Sequence, residues 1–210
     1  MSKVLENFDT IVLDVLKEVG NIGAGNAATA LAKMISKKVD MKVPLVNVMD
    51  FSEVPEILGG PEKEVVGIFF KLEGELEGSI MFVLDTFSAG QLIELLMPGI
   101  STDGFNEFCF SALQEIGNIL AGSYISSLSS LANLDIKISV PSLALDMAGA
   151  ILSVPAIHFG LIGDKILIIE NEFIEMVEMD SVNGFFILIP EVDSYDVLLK
   201  NLGVQIWMEW

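Results

Sequence analysis

Two short groups of polar residues, each set among apolar ones, carry the side chains of this sequence best suited to chemistry. They lie 97 positions apart and consist of Asp14, Glu18 and Asn21 in the first group and Ser111, Glu115 and Asn118 in the second. A carboxylate can pair with a cation, and a carboxamide can hold a water molecule through one donor and one acceptor. On an α-helix each group falls within a strip of about 60°, because successive residues are about 100° apart. The spacing therefore predicts two helices that each present an acid beside an amide.

Each strip also has two simpler interpretations. It is the solvated face of an amphipathic helix, or the acid and the amide bridge elements inside the fold. A merely solvated face would not need the same Glu-x-x-Asn at the same spacing in both copies, so the repetition argues against the solvated-face interpretation. Duplication would preserve an internal bridge equally well, and that interpretation stays open. A glycine four residues beyond each amide, Gly25 or Gly122, is expected to clear side-chain bulk beside the strip.

The repetition extends along the whole chain. Six apolar positions, expected to face the core, share the offset of 97: Ile11, Val12, Val15, Leu16, Val19 and Ile22 match Phe108, Cys109, Ala112, Leu113, Ile116 and Ile119. Later segments align with a slightly longer offset. We interpret the sequence as a tandem duplication, with repeats of about residues 1–100 and 101–210 that together form a single domain over 1–210.

Hydrophobic periodicity predicts the same order of elements in each half. In the first half these are a helix over 8–36, strands over 43–49, 64–72 and 78–84, and a helix over 87–97. In the second they are a helix over 105–133, strands over 135–140, 150–158, 165–169 and 185–189, and a helix over 194–202. The acidic run 170–180 is expected to be a solvated loop or edge. We predict an α+β fold with pseudo-two-fold symmetry, in which long helices pack on a β-sheet.

The composition excludes several classes of function. The 210 residues include 30 acids against 11 basic residues, for a formal charge of −19, and 52% are hydrophobic. Such hydrophobicity excludes a disordered chain, and the acidic balance argues against nucleic acid or an anionic membrane surface as a partner. Every basic residue is a lysine, so the bidentate guanidinium that grips phosphate is missing, and with it any arginine finger.

The chain has one cysteine, Cys109, and one histidine, His158. One chain therefore cannot build a disulfide, a Cys/His zinc site or a Cys-His nucleophile pair, and we expect both residues to be structural. We predict no metal site and no cofactor of the chain's own. The glycines at 20, 23 and 25 have the spacing G-x-x-G-x-G, which is not that of a dinucleotide loop and indicates close helix packing.

Four lysines gather near the end of the first predicted helix, at Lys33, Lys37, Lys38 and Lys42. Cations at this place stabilise a helix C-terminus, or they offer a basic patch to an acidic partner; the first interpretation is favoured.

No secretion signal follows Met1, and the two longest runs without acid or lysine are poor candidates for a membrane span. Residues 116–134 carry many serines, and 147–163 contain Pro155 and fall short of the usual ~20 apolar residues. We therefore expect a cytoplasmic protein without membrane insertion.

The two groups resemble the motif of the CheC family of chemotaxis phosphatases, which includes CheX and the phosphatase part of the flagellar switch protein FliY. That motif is Asp or Ser, three residues, Glu, two residues, Asn, then about 22 residues and Pro. Both copies are complete, since the first ends in Pro44 and the second in Pro141. The resemblance covers essentially the whole chain, and two complete copies are the arrangement of CheC itself within the family.

The resemblance implies a phosphatase that acts on the phosphoaspartate of a CheY-type response regulator in two-component signalling of flagellar motility. It implies that Asn21 and Asn118 orient the attacking water, and that Glu18 and Glu115 pair with the regulator's lysine. The positions that shape or dock the site would be Asp14, Ser111, Pro44 and Pro141. Mg²⁺ is expected on the regulator, and the receptor deamidase CheD is an expected second partner.

Two other functions compete with this one. A non-catalytic docking module would bind a response regulator or CheD without turnover. A small-ligand domain unrelated to signalling has only the apolar composition in its favour.

Overall fold

The fold consists of one antiparallel sheet with two long and two short helices on one face and two short helices on the other. The computed structural model describes residues 10–36, 38–43, 46–97, 99, 104–158, 165–175 and 181–203. In the first half the elements are α1 (Thr10–Ile35), β1 (Val39–Lys42), β2 (Val46–Asp50), α2 (Val54–Ile57), β3 (Glu64–Gly74), β4 (Gly78–Asp85) and α3 (Thr86–Leu96). In the second half they are α4 (Glu107–Ala132), β5 (Ile136–Ile138), β6 (Ser142–Met147), α5 (Ala148–His158), β7 (Lys165–Glu175), β8 (Ser181–Pro190) and α6 (Val192–Asn201).

The strands of the two halves are interleaved. The path across the sheet is β1-β7-β8-β4-β3-β5, with β2 also on β7 and β6 also on β3. The first two strands of each half thus pair with the third strand of the other half. At the centre β4 and β8 run antiparallel, with Phe82 opposite Phe186. The order is symmetric about this central pair, which confirms the predicted pseudo-two-fold α+β fold.

The inner strands are buried on both faces, so alternate side chains enter two different hydrophobic clusters. In β4, Ile80, Phe82 and Leu84 face the larger cluster, which the long helices α1 and α4 cover together with α3 and α6. Met81 and Val83 face the smaller cluster under α2 and α5. The strict period of two along β4 fixes its register, because a slip of one residue would exchange the two faces.

Glycines let the long helices approach their neighbours closely. A Cβ at Gly117 of α4 would lie 2.9 Å from Ile68 of β3, and one at Gly23 of α1 would lie 3.0–3.1 Å from Tyr124 of α4. Tyr124 is buried at this helix crossing and packs on Phe186; burial raises the pKa of its hydroxyl. The predicted close packing is confirmed for Gly23, whereas it is wrong for Gly25, where an added Cβ would meet nothing within 4 Å among the described residues.

The predicted long helices agree with α1 and α4 within two residues at each end. The strand predicted over 150–158 is wrong, because these residues belong to helix α5. A continuous apolar run does not distinguish a buried strand from a buried helix, and this run has no alternation that would favour either. The acidic run 170–180 is also not a loop over its first part, since β7 continues to Glu175; residues 176–180 lie outside the described part of the chain.

Two of the apolar positions predicted to face the core do not. Phe108 is 73% exposed and Ile22 is 39% exposed. Phe108 lies three residues before Ser111 and seven before Glu115, spacings that place it on the polar side of α4. Most of the remaining set does face the core, with Leu16, Val19, Cys109, Leu113 and Ile116 buried. The side chains of Ile11, Val12 and His158 lie outside the description.

Within the described ranges, none of the helices combines the length and the apolar character that a membrane crossing requires.

Gly23 and Gly25 provide a matched pair for testing the crossing of α1 and α4. Alanine is favoured over glycine in a helix by about 0.5–1 kcal/mol, and a Cβ at Gly25 meets nothing within 4 Å. We expect Gly25→Ala to raise the urea midpoint of unfolding. Gly23→Ala forces its Cβ against Tyr124, and overpacking of this kind costs about 1–3 kcal/mol, so we expect the midpoint to fall. Equal midpoints for the two variants would contradict the close crossing.

Candidate functional site

The first strip lies on the solvent side of α1. Asp14, Glu18 and Asn21 are all exposed, whereas Leu16 and Val19 of the same turns are buried in the larger cluster. Because 14, 18 and 21 are separated by four and three residues, their side chains stand one above the other on the helix. The predicted alignment of acid and amide is therefore present in the first half.

The second strip has the same arrangement on α4. Ser111, Glu115 and Asn118 are exposed, while Leu113 and Ile116 are buried. The helix begins at a well-formed cap, where the side chain of Asn106 accepts hydrogen bonds from the amides of Phe108 and Cys109 at 3.0 and 3.1 Å. This cap fixes the first turn of α4 just ahead of Ser111.

Of the two prolines of the motif, the structure describes Pro141. Pro141 is half-buried beside α4, and its carbonyl accepts a hydrogen bond from Nε2 of Gln114 at 3.5 Å. Since Gln114 adjoins Glu115 and lies one turn from Ser111, Pro141 borders the second strip. Pro44 lies outside the described residues.

The acids and amides of the motif do not bridge elements within the described structure. Glu18, Asn21, Glu115 and Asn118 have no hydrogen bond or ion pair with another described residue. Asn26, on the same helix as Asn21, shows what a bridging amide looks like, since its Nδ2 donates to Oγ of Ser127 on α4 at 3.3 Å. As far as the described residues are concerned, the four motif side chains are available to contact a partner.

The backbone that carries both strips is firmly held. Helices α1 and α4 pack on each other, and each covers the sheet through buried apolar residues. Side chains mounted on rigid elements keep a defined geometry better than side chains on loops. The strips are therefore suited to enter a partner's site as preformed units.

The surroundings of the two strips differ. Val43 of the first half is buried against Gly20, where a Cβ would meet its Cγ1 at 3.3 Å. Its counterpart Val140 is 83% exposed, and the exposed Phe108 stands one turn ahead of Ser111. The second strip thus has two exposed apolar side chains in its vicinity that sequence analysis did not single out as surface residues. The spacing of Phe108 from Ser111 and Glu115 accounts for its exposure, because it places the ring on the polar side of α4.

An open groove continues the first strip toward the C-terminal end of α1. It has a volume of about 600 Å³ and is lined by Gly25, Ala28, Thr29, Ala32, Lys33, Lys38 and Asp40. Gly25 is the glycine predicted to clear bulk beside the strip, and nothing lies within 4 Å of a Cβ built on it. In the second half the corresponding Gly122 is half-buried, and a Cβ built on it would lie 3.9 Å from Cδ1 of Ile138.

Among the residues that the structure describes, no group of three or more His, Cys, Asp or Glu side chains is arranged to hold a metal ion. Neither strip contains a nucleophile paired with a base, so the chemistry available to them is positioning and charge pairing.

Comparison with known protein families finds a match to the CheC-like family over residues 11–48 and 110–145. The two matched segments contain both complete copies of the motif. The chain is similar to the CheY-P phosphatase CheC of Bacillus subtilis, with 35% identity over 198 residues that cover 92% of this chain and 95% of that protein. It is also similar to the flagellar motor switch phosphatase FliY of B. subtilis, with 30% identity over 63% of this chain and 35% of that protein.

Solved structures share the fold. The crystal structure of Thermotoga maritima FliY superimposes with a TM-score of 0.75 and 23% identity, covering 93% of this chain and 98% of that one. The middle domain of FliM from Helicobacter pylori superimposes with a TM-score of 0.66 and 13% identity, covering 92% and 99%. At these identities the likeness concerns the arrangement of helices and strands.

The exposure of the two amides leads to a prediction on stability. Asn21→Ala and Asn118→Ala remove no hydrogen bond to a described residue, and surface substitutions of this kind change the free energy of unfolding by about 0.5 kcal/mol or less. Asn26→Ala serves as the contrasting variant, because it removes the bond to Ser127 between the helices. We expect only Asn26→Ala to lower the thermal midpoint clearly; a comparable loss in Asn21→Ala or Asn118→Ala would show that these amides hold the fold together.

Proposed function

This chain belongs to the CheC-like family, and from that premise we propose that it is a phosphatase that hydrolyses the phosphoaspartate of a CheY-type response regulator. The observation that carries the proposal is the exposed Glu-Asn pair on both long helices, which has no hydrogen bond or ion pair with any residue that the structure describes. The B. subtilis relative that is named a CheY-P phosphatase matches nearly the whole length of this chain.

The residue inventory agrees with this reaction. Water attacks phosphorus, the bond between phosphorus and the aspartyl oxygen breaks, and the carboxylate leaves with inorganic phosphate as the second product. Phosphoryl transfer of this kind depends on positioning and charge stabilisation more than on a covalent nucleophile. A chain without arginine and with one cysteine and one histidine can support it, provided that the partner contributes the remaining groups.

We assign the positioning of water to Asn21 and Asn118. A carboxamide can donate to one lone pair of a water molecule and accept one of its protons, which orients the other lone pair toward phosphorus. A glutamine has this role in GTPases. In our proposal each amide enters the regulator's active site from the exposed face of its helix.

We assign the pairing with the regulator's active-site lysine to Glu18 and Glu115. Each lies three residues before its asparagine, so the two side chains are neighbours on the helix surface. Docking of the carboxylate on a fixed cation of the partner sets the position of the amide. The flanking positions Asp14, Ser111, Pro44 and Pro141 shape or dock the site in this proposal.

The proposal also concerns what the chain does not supply. Mg²⁺, held by the regulator, would neutralise charge on the phosphoryl oxygens, and no cofactor is assigned to this chain. We further propose the receptor deamidase CheD as a second partner, on the strength of the family resemblance.

The decisive variants are Asn21→Ala, Asn118→Ala and their combination. The decay of a phosphorylated CheY-type regulator with Mg²⁺ is measured with and without each variant. Loss of the water-orienting amide at both sites is expected to slow the accelerated decay by ~100-fold or more, equivalent to roughly 2.7 kcal/mol of barrier. Each single variant reports on the site that remains.

Asn201→Ala is the matched control, because Asn201 is an exposed helical amide outside both strips. It is expected to leave the decay unchanged. Undiminished turnover in the double variant would exclude the mechanism. Binding of the regulator by the unaltered protein without any acceleration of decay would instead favour the docking module.

The exposed Phe108 generates a prediction for the second site alone. An exposed aromatic ring one turn ahead of Ser111 is placed to contact a regulator seated on that strip, and aromatic side chains commonly dominate interface energies. In the Asn21→Ala background, Phe108→Ser is expected to raise KM by about 10-fold, close to 1.4 kcal/mol, with little change in kcat. In the Asn118→Ala background the same substitution should leave KM unchanged; an equal effect in both backgrounds would contradict a local contact.

A further inference from the structure

We propose that the groove at the C-terminal end of α1 is an electrostatic docking surface for an acidic face of the phosphorylated regulator, and that it serves the first site only. The inference rests on the proposed function and goes beyond it, because it gives the two sites different modes of recognition. The first site would recruit the regulator through lysines, with a strong dependence on salt. The second would bind it without them.

The groove lies where a regulator seated on the first strip must come. It begins at Gly25, four residues beyond Asn21, and extends to Ala32 and Lys33. At about 1.5 Å per residue this is roughly 6 to 18 Å from Asn21 along the helix. A folded domain of about 120 residues has a radius of gyration near 14 Å. A domain with its phosphoaspartate at Asn21 therefore reaches over the groove.

Two cations line the groove, Lys33 from α1 and Lys38 from the segment before β1. Neither forms an ion pair with a described residue. One acid faces them, Asp40, whose Oδ1 accepts a hydrogen bond from the amide of Met41 at 2.9 Å. Among the described residues of the groove, two ammonium groups without an ion pair thus face one carboxylate that is partly engaged by the backbone.

The second half carries different side chains at the positions that correspond to the groove. Ser130 and Asp135 stand at the positions that correspond to Lys33 and Lys38, and Asp135 pairs with Lys137 at 3.5 Å. The small Ala28 of the groove is replaced by Ile125, which is buried. The position of Asp40 holds Lys137, so the three charged positions of the groove sum to +1 in the first half, with two lysines against one aspartate, and to 0 in the second half, with Lys137 against Asp135.

The two segments that contain the long helices also differ in net charge, and the segment of the first half is the more positive. Residues 10–43 contain five lysines and three acids, a net charge of +2, whereas residues 107–140 contain one lysine and three acids, a net charge of −2. The whole chain carries −19, so most of its surface repels an acidic partner. The region around the groove is a local exception that can steer such a partner to the first site.

The regulator has the complementary chemistry. Its phosphoaspartate is anionic, and a site that holds Mg²⁺ does so with carboxylates. Within that site Mg²⁺ and the active-site lysine are the cations, and the lysine is the group that Glu18 faces. The proposal places an acidic part of the surface around this site opposite Lys33 and Lys38 when the phosphoaspartate approaches Asn21. Attraction between exposed charges weakens as the Debye length shortens, from about 30 Å at 0.01 M to 8 Å at 0.15 M ionic strength.

The test introduces Lys33→Gln/Lys38→Gln into two backgrounds. The Asn118→Ala background keeps only the first site intact, and the Asn21→Ala background keeps only the second. For each, kcat/KM for decay of the phosphorylated regulator is measured at about 0.02 and 0.3 M salt, together with the dissociation constant of the regulator activated with beryllofluoride. In the first-site background we expect the lysine substitutions to lower kcat/KM about 5-fold at low salt and less than 2-fold at high salt. In the second-site background no change is expected.

Lys63→Gln/Lys71→Gln is the matched control for net charge. Lys71 lies on β3 and Lys63 directly before it, four strands across the sheet from β1. At about 4.8 Å per strand this is roughly 19 Å away. The control should leave kcat/KM unchanged in the first-site background.

Equal losses in both backgrounds, a loss with the control variant, or unchanged values in the first-site background would overturn the proposal. It is also overturned if Asn118→Ala neither binds the regulator nor accelerates its decay, because the first site then recruits nothing. Failure of the proposed function has a different signature: binding that depends on Lys33, Lys38 and salt, without accelerated decay, would remove the phosphatase assignment and support the docking surface.

Discussion

The exchange of edge strands between the two halves is the constraint on which the rest of the structure depends. Because β1 and β2 pair with β7, and β5 and β6 with β3, neither half completes its part of the sheet alone. The exchange determines the order of the strands in the sheet. Because the inner strands are buried on both faces, the sheet determines where α1 and α4 pack, and these helices determine the positions of the two strips. Each Glu-Asn pair therefore stands on a helix whose position is determined by both copies of the repeat.

Much of this could be predicted from the sequence because the relevant signals are local. The long helices follow from apolar residues at helical spacing, and the two strips follow from the repeated Glu-x-x-Asn together with that spacing. Helix α5 could not be recognised, since an apolar run such as 150–158 has the composition of a buried strand. Its place on the second face of the sheet, where Ile151 packs beside Gly67, depends on strands that are distant in the sequence.

In the candidate site, too, some features follow from local sequence spacing and others depend on the tertiary structure. Sequence spacing placed Glu18 beside Asn21 and Glu115 beside Asn118, whereas it assigned Phe108 to the core. Phe108 lies three residues before Ser111 on the exposed side of α4, so the spacing that located the second strip also places Phe108 at the surface. The lysines near the end of α1 were visible as a cluster, but the favoured interpretation concerned the helix end. The groove between Lys33 and Lys38 needs the position of β1 relative to α1, which a single sequence does not contain.

The covalent joining of the two repeats has a consequence for how they diverge. In a symmetric pair of identical chains, any substitution beside one strip would appear beside the other, and both would change together. Here the genetic information for each copy is separate, so Ala28 can remain small while Ile125 fills its counterpart, and lysines can accumulate on one copy alone. The two copies thus share one sheet but can be substituted independently of each other. Because both copies contribute strands to that sheet, each can acquire its own recognition surface while the common fold is kept.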